Sequence, residues 1–584
     1  MRLPYTLASL LPPIALVLGA VLGIGCTCPA QAQDAKPTKA PATSVFHITG
    51  TVLNSVTRSP VAGCKMSATS AWRSQGSRLP ASDEFVTDDQ GHFDVSVASA
   101  GAWRLTAHAH GYVTQALDEH ERFASAVVLT AANPTLDVVF PLTPNSSISG
   151  TVLDEASEPI RQARVTLQAV ASSESENGLA SVTARGATMT DDRGHYELPN
   201  LAPGDYRVGV QAQVWYAQSA QATHSPNSAP DPTFDVVYPV TWFPGVTDPT
   251  SASTITLHGG DSGEADFHLV PIPAVHLRLP SPVPSAGGTA NGRQIQAPIS
   301  FPQILPVAST GVFGGGVSII SSSQGQVDTG GIAPGLYQAI WPDSGSGART
   351  SLIQITANSS RSLDINSASV GVHVTLKLDG TGMHNVGQIT FVDVNNPLNG
   401  FHTNELMGRG GRFRGGGGGD AGGREPRADV GIDVLPGRYR VVLSGDGDQY
   451  LTGITATGAE ATGRLVTVRG DASLVLHVAS GRPTISGFVR YQGKPSVGAQ
   501  VLLIPATFGE PESLTIVRRD QSNTDGSYDL PEVIPGQYIL IAIDHGWGVN
   551  WNDPATLRQY LIHGVPLDLR SGANIKQEIE AQAP

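Results

Sequence analysis

Apolar and polar positions alternate along most of this chain, and one stretch shows the pattern in full. From Thr190 to Val210 (TDDRGHYELPNLAPGDYRVGV) apolar side chains fall on every second residue, at Tyr196 and Leu198 and again at Tyr206, Val208 and Val210. Successive residues of a strand point to opposite faces, so each run predicts a strand with one apolar face. An Asp-Asp-Arg-Gly turn leads into the first run, and Pro203-Gly204 separates the two. The same period runs through Phe46 to Leu53 (FHITGTVL), Ser147 to Leu153 (SISGTVL) and Thr484 to Val489 (TISGFV). A helix is predicted only over Pro554 to Leu561, behind a cap signal at Asn552 and Asp553.

The pattern repeats. Each of the three openings is followed by a Pro and an apolar strand: Pro60 with VAGCKMSA, Pro159 with IRQARVTL and Pro495 with SVGAQVLL. The acidic turn returns as TDDQGHFDV from Thr87, TDDRGHYEL from Thr190 and TDGSYDL from Thr524. Nine residues separate the turn glycine from the following Pro in Gly194 to Pro203, Gly325 to Pro334 and Gly526 to Pro535, and Ala100 stands nine after Gly91. Turns of the Pro-Gly-x-Tyr kind at Gly101, Gly204, Gly335, Gly437 and Gly536 mark five modules. These are 46–144, 145–272, 273–367, 368–480 with a Gly-rich loop insert at 408–427, and 481–584. The third and fourth, opening at Val275 to Leu279 and Val372 to Leu376, are degenerate. Period-two alternation over about seven strands per module predicts an all-β chain of two-sheet sandwiches. Two further alternating runs flank Gly259-Gly260 and are read as the closing hairpin of module two, with Gly564 to Glu580 as its counterpart in module five.

Together these residues carry a family resemblance. The series x-Ile-Ser-Gly-x-Val, a Pro before an apolar strand, Thr-Asp-x-x-Gly-x-Tyr and Leu-x-Pro-Gly-x-Tyr-x-Val resembles the carboxypeptidase regulatory-like domain. It is carried by modules two and five, more loosely by module one, and in modules three and four by little beyond the Pro-Gly-x-Tyr turn. Tyr238 to Pro249 (YPVTWFPGVTDP) and the tail around WGVNWNDPATLRQY are also similar to bacterial members. The resemblance implies a tandem array of about five seven-stranded transthyretin-like or Ig-like sandwiches in a bacterial secreted protein. It implies no catalytic chemistry.

Composition agrees with that architecture. At 584 residues the chain is too long for one core, and Gly 66, Pro 42 and 15% charged residues describe a turn-rich β protein with several small cores. A net charge of −14 without long runs of one sign disfavours a nucleic-acid or anionic-membrane surface. Met1-Arg2, an apolar run from Ile14 to Gly25 and Pro29-Ala30-Gln31-Ala32 predict a signal peptide over 1–32. Its apolar core is too short to span comfortably, so no transmembrane span is expected in the mature chain. Lipoprotein processing at Cys26 is the alternative, although Gly23 stands where that motif wants an aliphatic residue. Residues 33–45, rich in Lys, Pro, Ala and Thr, read as a flexible leader. Cleavage after Ala32 leaves Cys64 as the lone cysteine, without a disulfide partner.

Candidate chemistry is sparse. His402-Thr403-Asn404-Glu405 has the H-x-x-E spacing of a zinc carboxypeptidase but lacks a third ligand and the helix-bearing domain. Gly260-Asp261-Ser262-Gly263 resembles the nucleophile turn of trypsin-like proteases, yet it sits at a predicted turn without the ordered His and Asp partners. His108 and His110 share a strand face with no carboxylate or Cys at ligand spacing. Arg409 to Arg427 has the composition of an RGG box, but in an exported chain it reads as a loop between strands. Cys64, four residues past Pro60, corresponds to Ala163 and Ala499, which predicts a small buried side chain. No catalytic, metal or cofactor-binding residue is assigned. The candidates for ligand stacking are Trp215, Tyr216, Tyr238, Trp242 and Phe243 in module two and Trp547 and Trp551 in module five. Exposed rings at a sandwich rim stack on sugars; loops folded back on the sheet bury them, and burial is the expected arrangement.

The expectation is therefore a non-catalytic exported protein, a spacer or binding scaffold at the cell envelope, in the periplasm, on the cell surface or outside the cell. Five small sandwiches leave no room for a catalytic domain. The alternatives are a carbohydrate-binding protein using the rings just named and an accessory subunit of a secreted hydrolase. The expected partners are a polysaccharide or another envelope or secreted protein.

Overall fold

The alternation seen in the sequence is the alternation of burial. In Ser146–Leu153 every second side chain is buried, with Ile148 and Val152 fully so, and Phe46–Asn54 follows the same rule through Ile48 and Val52. The computed structural model describes residues 46–584 apart from 72–82, 171–181, 218–230, 232, 281–288, 291–292, 295–302, 307–318, 324–325, 344–346, 357–361, 365–369, 381–387, 396–399, 403–429, 445–447 and 511. The signal peptide, the leader, Cys26, the Gly-rich insert with its Arg409 to Arg427 run, and Glu405 of the H-x-x-E motif lie outside the described residues.

One pairing scheme recurs five times. Phe46–Asn54 lies antiparallel to His92–Val97 and parallel to Thr135–Leu142. Ser146–Leu153 lies antiparallel to His195–Leu201 and parallel to Ser262–Glu264 and Phe267–His268. His276–Pro280 has Gln326–Thr329 and Ser362–Asp364 in the same two relations, and Val372–Gly380 has Val430–Val434 and Leu465–Ser480. Thr484–Tyr491 repeats it with Ser527–Leu530, Asn574–Lys576 and Ile579–Glu580. An opening strand is thus always central, with a turn strand on one side and a closing strand on the other.

In the first, second and fifth sandwiches a second sheet holds the strand after the Pro. In the second sandwich Arg164–Val170 lies between Val182–Met189 and Gly204–Gln211, antiparallel to both. The core between the sheets is built from Ile148, Val152, Val165, Leu167, Tyr196 and Val208 among others. Each such aliphatic side chain contributes about 1.5–3 kcal/mol through its burial. Gly150 has a packing reason: a Cβ there would stand 2.1 Å from the carbonyl oxygen of Ala265, where the closing strand shifts between its two paired segments.

Three expectations are corrected. The runs flanking Gly259-Gly260 do not form a hairpin: Ile255–Leu257 pairs with Gly204–Gln211 in one sheet and Ser262–Glu264 with Ser146–Leu153 in the other. The turn carries the chain across the sandwich, as it does in the fifth sandwich between Val565–Leu569 and Asn574–Lys576. The fourth sandwich does not keep two separate sheets. Leu465–Ser480, 16 residues long, pairs with Gly437–Ser444 near its start and with Val372–Gly380 further on, so that one strand bends through both layers. Finally, the counterpart of Thr190 in the fifth sandwich is Ser522 and not Thr524, as its hydrogen bonds show below. The helix forms over Pro554–Leu561 as the cap signal predicts, with the Asp553 side chain accepting from the amides of Ala555 and Thr556. Among the described residues no helix is long and apolar enough to cross a membrane.

Candidate interaction site

The polar residues of the repeated motif bond to their own backbone. Thr190 Oγ1 donates to the carbonyl of Ile160 at 2.6 Å and accepts from the amide of Ala163 at 2.9 Å, which ties the loop after Pro159 to the turn. Thr87 does the same with Val61 and Cys64, and Ser522 with Ser496 and Ala499. Asp191 Oδ1 accepts from the amides of Arg193 and His195 at 2.9 and 2.8 Å. Donation first from His195 and then from Arg193 holds its carboxyl below the ordinary range. Tyr196 donates its hydroxyl to Ala265 O, and Tyr206 donates its own to Ala202 O at 2.7 Å. Tyr337, Tyr439 and Tyr538 reach back four residues in the same way, to Ala333, Leu435 and Ile534. This bond locks the corner at which Pro203-Gly204 passes the chain between sheets, and Gly204 takes φ +150°, which other residues rarely adopt.

Cys64 is fully buried, as are Ala163 and Ala499, and burial pushes its thiol up. His108 is exposed, with Nδ1 2.7 Å from the Thr114 hydroxyl, and His110 is exposed beside it. Asp261 accepts from the amide of His258 and lies 3.0 Å from its ring nitrogen, while Ser262 is 3.4 Å from the Ser147 hydroxyl. That turn is a hydrogen-bonded crossing point of the sandwich.

The seven aromatic candidates divide. Trp242 is 1% exposed and Tyr238 and Trp551 are 4% exposed, so none of these presents a face for stacking. Tyr238 joins the core of the second sandwich, Trp242 clusters with Val240, Val246 and Ala252 of its own loop, and Trp551 joins the cluster of Leu502, Ile541 and Leu557. Phe243 is half-buried against Phe267. Trp215 is different, at 75% exposure, with Tyr216 edge-on to it at 5.4 Å and Phe234 beyond at 6.4 Å. Glu155 sits behind this group and accepts from the hydroxyls of Tyr216 and Tyr238 at 2.5 and 2.9 Å. The bond to Glu155 pushes the Tyr216 hydroxyl up to about 12.

Trp547 occupies a site the sequence reading missed. The described residues form one compact unit, and within it the first and fifth sandwiches meet although some 400 residues separate them along the chain. The indole of Trp547 stacks on His120, with ring centres 5.0 Å apart and planes 3° from parallel. Arg519 is 7% exposed and makes a two-pronged ion pair with Glu121 at 3.1 and 2.6 Å. Its guanidinium lies over the rings of Phe123 at 5.2 Å and Trp551 at 4.4 Å. Gln521 Nε2 donates to Asp118 O and to the Ser125 hydroxyl, which donates to Ser522 O. Asn523 and Thr524 then bond the edge strand Val127–Leu129: Asn523 Oδ1 accepts from Ala126, Thr524 Oγ1 from Val128, and the Thr524 amide donates to Ala126 O. Because Ser522 takes the clip role of Thr190, Asn523 and Thr524 are placed to make this contact.

The local backbone is shaped for it. Asp118, Glu121 and His545 are left-handed, at φ 53°, 56° and 49°, which costs a non-glycine residue of order 1–3 kcal/mol each. A Cβ at Gly498 would stand 2.3 Å from Asp118 Oδ2. Burial raises the Asp118 carboxyl, an effect that His120 and His545 partly offset. Beside the contact lies a cleft of about 400 Å³ whose lining includes Arg104, Arg122, Phe123, Arg518, Asp529 and Glu532. The signal in the sequence was the charged run Asp118 to Arg122 in a loop of one module, facing Arg518-Arg519 in a strand of another. Nothing local paired the two.

Among known proteins, residues 147–237 match the Carboxypeptidase regulatory-like domain, which places the family pattern on the second sandwich. No curated protein sequence matches the chain. Solved structures similar to it include the Bacillus anthracis TIE protein, at 9% identity, covering 93% of this chain and 76% of that one with a TM-score of 0.15. GBS52, the minor pilin of Streptococcus agalactiae, is 10% identical over 39% of this chain and 97% of its own, with a TM-score of 0.21. The shaft pilin SpaA of Lactobacillus rhamnosus GG is 11% identical over 39% and 98%, with a TM-score of 0.17. Likeness at this level carries no inference about activity or partners.

Proposed function

We propose that the protein is an exported, non-catalytic scaffold of β-sandwich modules that works at the cell envelope, spacing or holding partners without transforming them. The observation that carries this reading is the use made of the motif's polar side chains. Thr190, Asp191, Tyr196 and Tyr206 each bond the backbone of their own sandwich and so serve the fold. Cell fractionation with mass spectrometry of the mature N-terminus tests the export. The expected chain begins at Gln33 and is found in the periplasmic, surface or extracellular fraction; a cytoplasmic chain that keeps Met1 overturns the reading. Turnover of peptide or polysaccharide substrates by the purified chain would overturn its non-catalytic part.

A second reading, carbohydrate binding, is favoured by one group of side chains. Trp215 offers an open ring face, braced by Tyr216 and Phe234, at the rim of the second sandwich. On a glycan array, Trp215→Ala is expected to abolish binding with the melting temperature unchanged, whereas Trp242→Ala lowers stability. An array on which the unaltered chain binds nothing removes this reading.

A further inference from the structure

The contact between the first and fifth sandwiches joins two different faces. One is the loop and edge strand that carry Asp118, Glu121, Ser125 and Val128; the other carries Arg519, Gln521 and Thr524. A contact between unlike faces is not tied to one copy, because every other copy offers the same two faces.

Its construction also differs from the junctions between consecutive sandwiches. Those are covalent and short: Thr135–Leu142 runs into Ser146–Leu153 and Leu465–Ser480 into Thr484–Tyr491. Among the described residues no buried apolar cluster spans the end-to-end contact: that of the first sandwich and the two of the fifth, including the one around Trp551, each stay within their own sandwich. One ion pair, ring stacking and hydrogen bonds made mostly by side chains hold it, the character of an interface that can open and re-form.

We propose that the two end faces form an exchangeable head-to-tail interface, closed on itself in the single chain and able to join the fifth sandwich of one copy to the first sandwich of a second. Tethering makes closure intramolecular and so independent of concentration, and dilute chains close on themselves. Crowded chains exchange ends. The proposal does not depend on where the protein acts.

Complementary variants test it. Glu121→Arg sets two cations against each other and Arg519→Glu sets two anions, so neither chain closes and each sediments as a monomer more slowly than the unaltered protein. Mixed in equal amounts they match at both contacts and form a one-to-one dimer by sedimentation velocity, about tenfold tighter than the self-association of either alone. The double variant returns to the closed monomer.

A second pair avoids charge reversal. Val128→Pro removes the amide that donates to Thr524, and Gly498→Asp sets a side chain against Asp118; each blocks one face and leaves the other free. The mixture of these two is expected to dimerise through one contact. Mixtures that stay monomeric in both pairs, or single variants that keep the sedimentation coefficient of the unaltered chain, overturn the proposal.

Discussion

Trp103 donates its indole N–H to the carbonyl of Ser99 at 3.1 Å, reaching back four residues as Tyr206 does to Ala202 at 2.7 Å. The first sandwich has no Pro at this corner and no Tyr, yet it keeps the bond that locks the crossing between sheets. Tyr206→Phe removes the donor and leaves the packing, whereas Trp103→Phe removes the donor and part of a buried ring as well. Tyr206→Phe is expected to cost about 1 kcal/mol in chemical denaturation and Trp103→Phe more, because it also leaves a cavity, with Trp103→Tyr costing less than Trp103→Phe.

Gly150 faces the carbonyl of Ala265, and Gly487 faces that of Gln577 at 1.7 Å from where a Cβ would stand. The obstacle is backbone, which yields only if the closing strand moves. Gly150→Ala is expected to destabilise the second sandwich by about 3 kcal/mol, the upper end of overpacking, and differential scanning calorimetry should show the loss.

Cys64 is buried where the other sandwiches have Ala163 and Ala499, and its thiol is pushed up by burial. A bulky thiol reagent should label it only after unfolding in denaturant. Cys64→Ala is expected to fold normally at a cost of about 1 kcal/mol, since one buried atom is removed. Rapid labelling of Cys64 in the native chain would contradict the burial.

Asp191 supplies an acid-dependent share of stability. Its folded-state carboxyl lies below the ordinary value of 3.8, because the amides of His195 and Arg193 donate to its charged form. A depressed carboxyl stabilises the fold above its unfolded value and loses that contribution as pH falls through the folded one. Asp191→Asn should therefore melt below the unaltered chain at neutral pH, with the gap closing below about pH 4.

Much of each sandwich was legible in the sequence, because its determinants are local. Alternation at Tyr196, Leu198, Val208 and Val210 dictates which face is buried, Pro203-Gly204 with Tyr206 builds the corner from a few adjacent residues, and Asp553 caps its helix through the next turn. The matching positions of Cys64, Ala163 and Ala499 also revealed a small buried site, since the Pro before them keeps one register. What the tertiary structure alone decided depends on partners far apart in sequence. Strands flanking Gly259-Gly260 look like a hairpin until each finds a different sheet, and Leu465–Ser480 belongs to both layers of its sandwich only once it bends. Trp547 and Trp551 are stacking candidates in the sequence with burial expected, but only the fold says against what: one stacks on His120 and the other lies against Arg519. Glu121 and Arg519 are two ordinary surface charges by composition. Closure of the chain through three intervening sandwiches buries Arg519 against a Glu121 that stays partly exposed, and no local pattern encodes a contact that exists only after every intervening sandwich has folded.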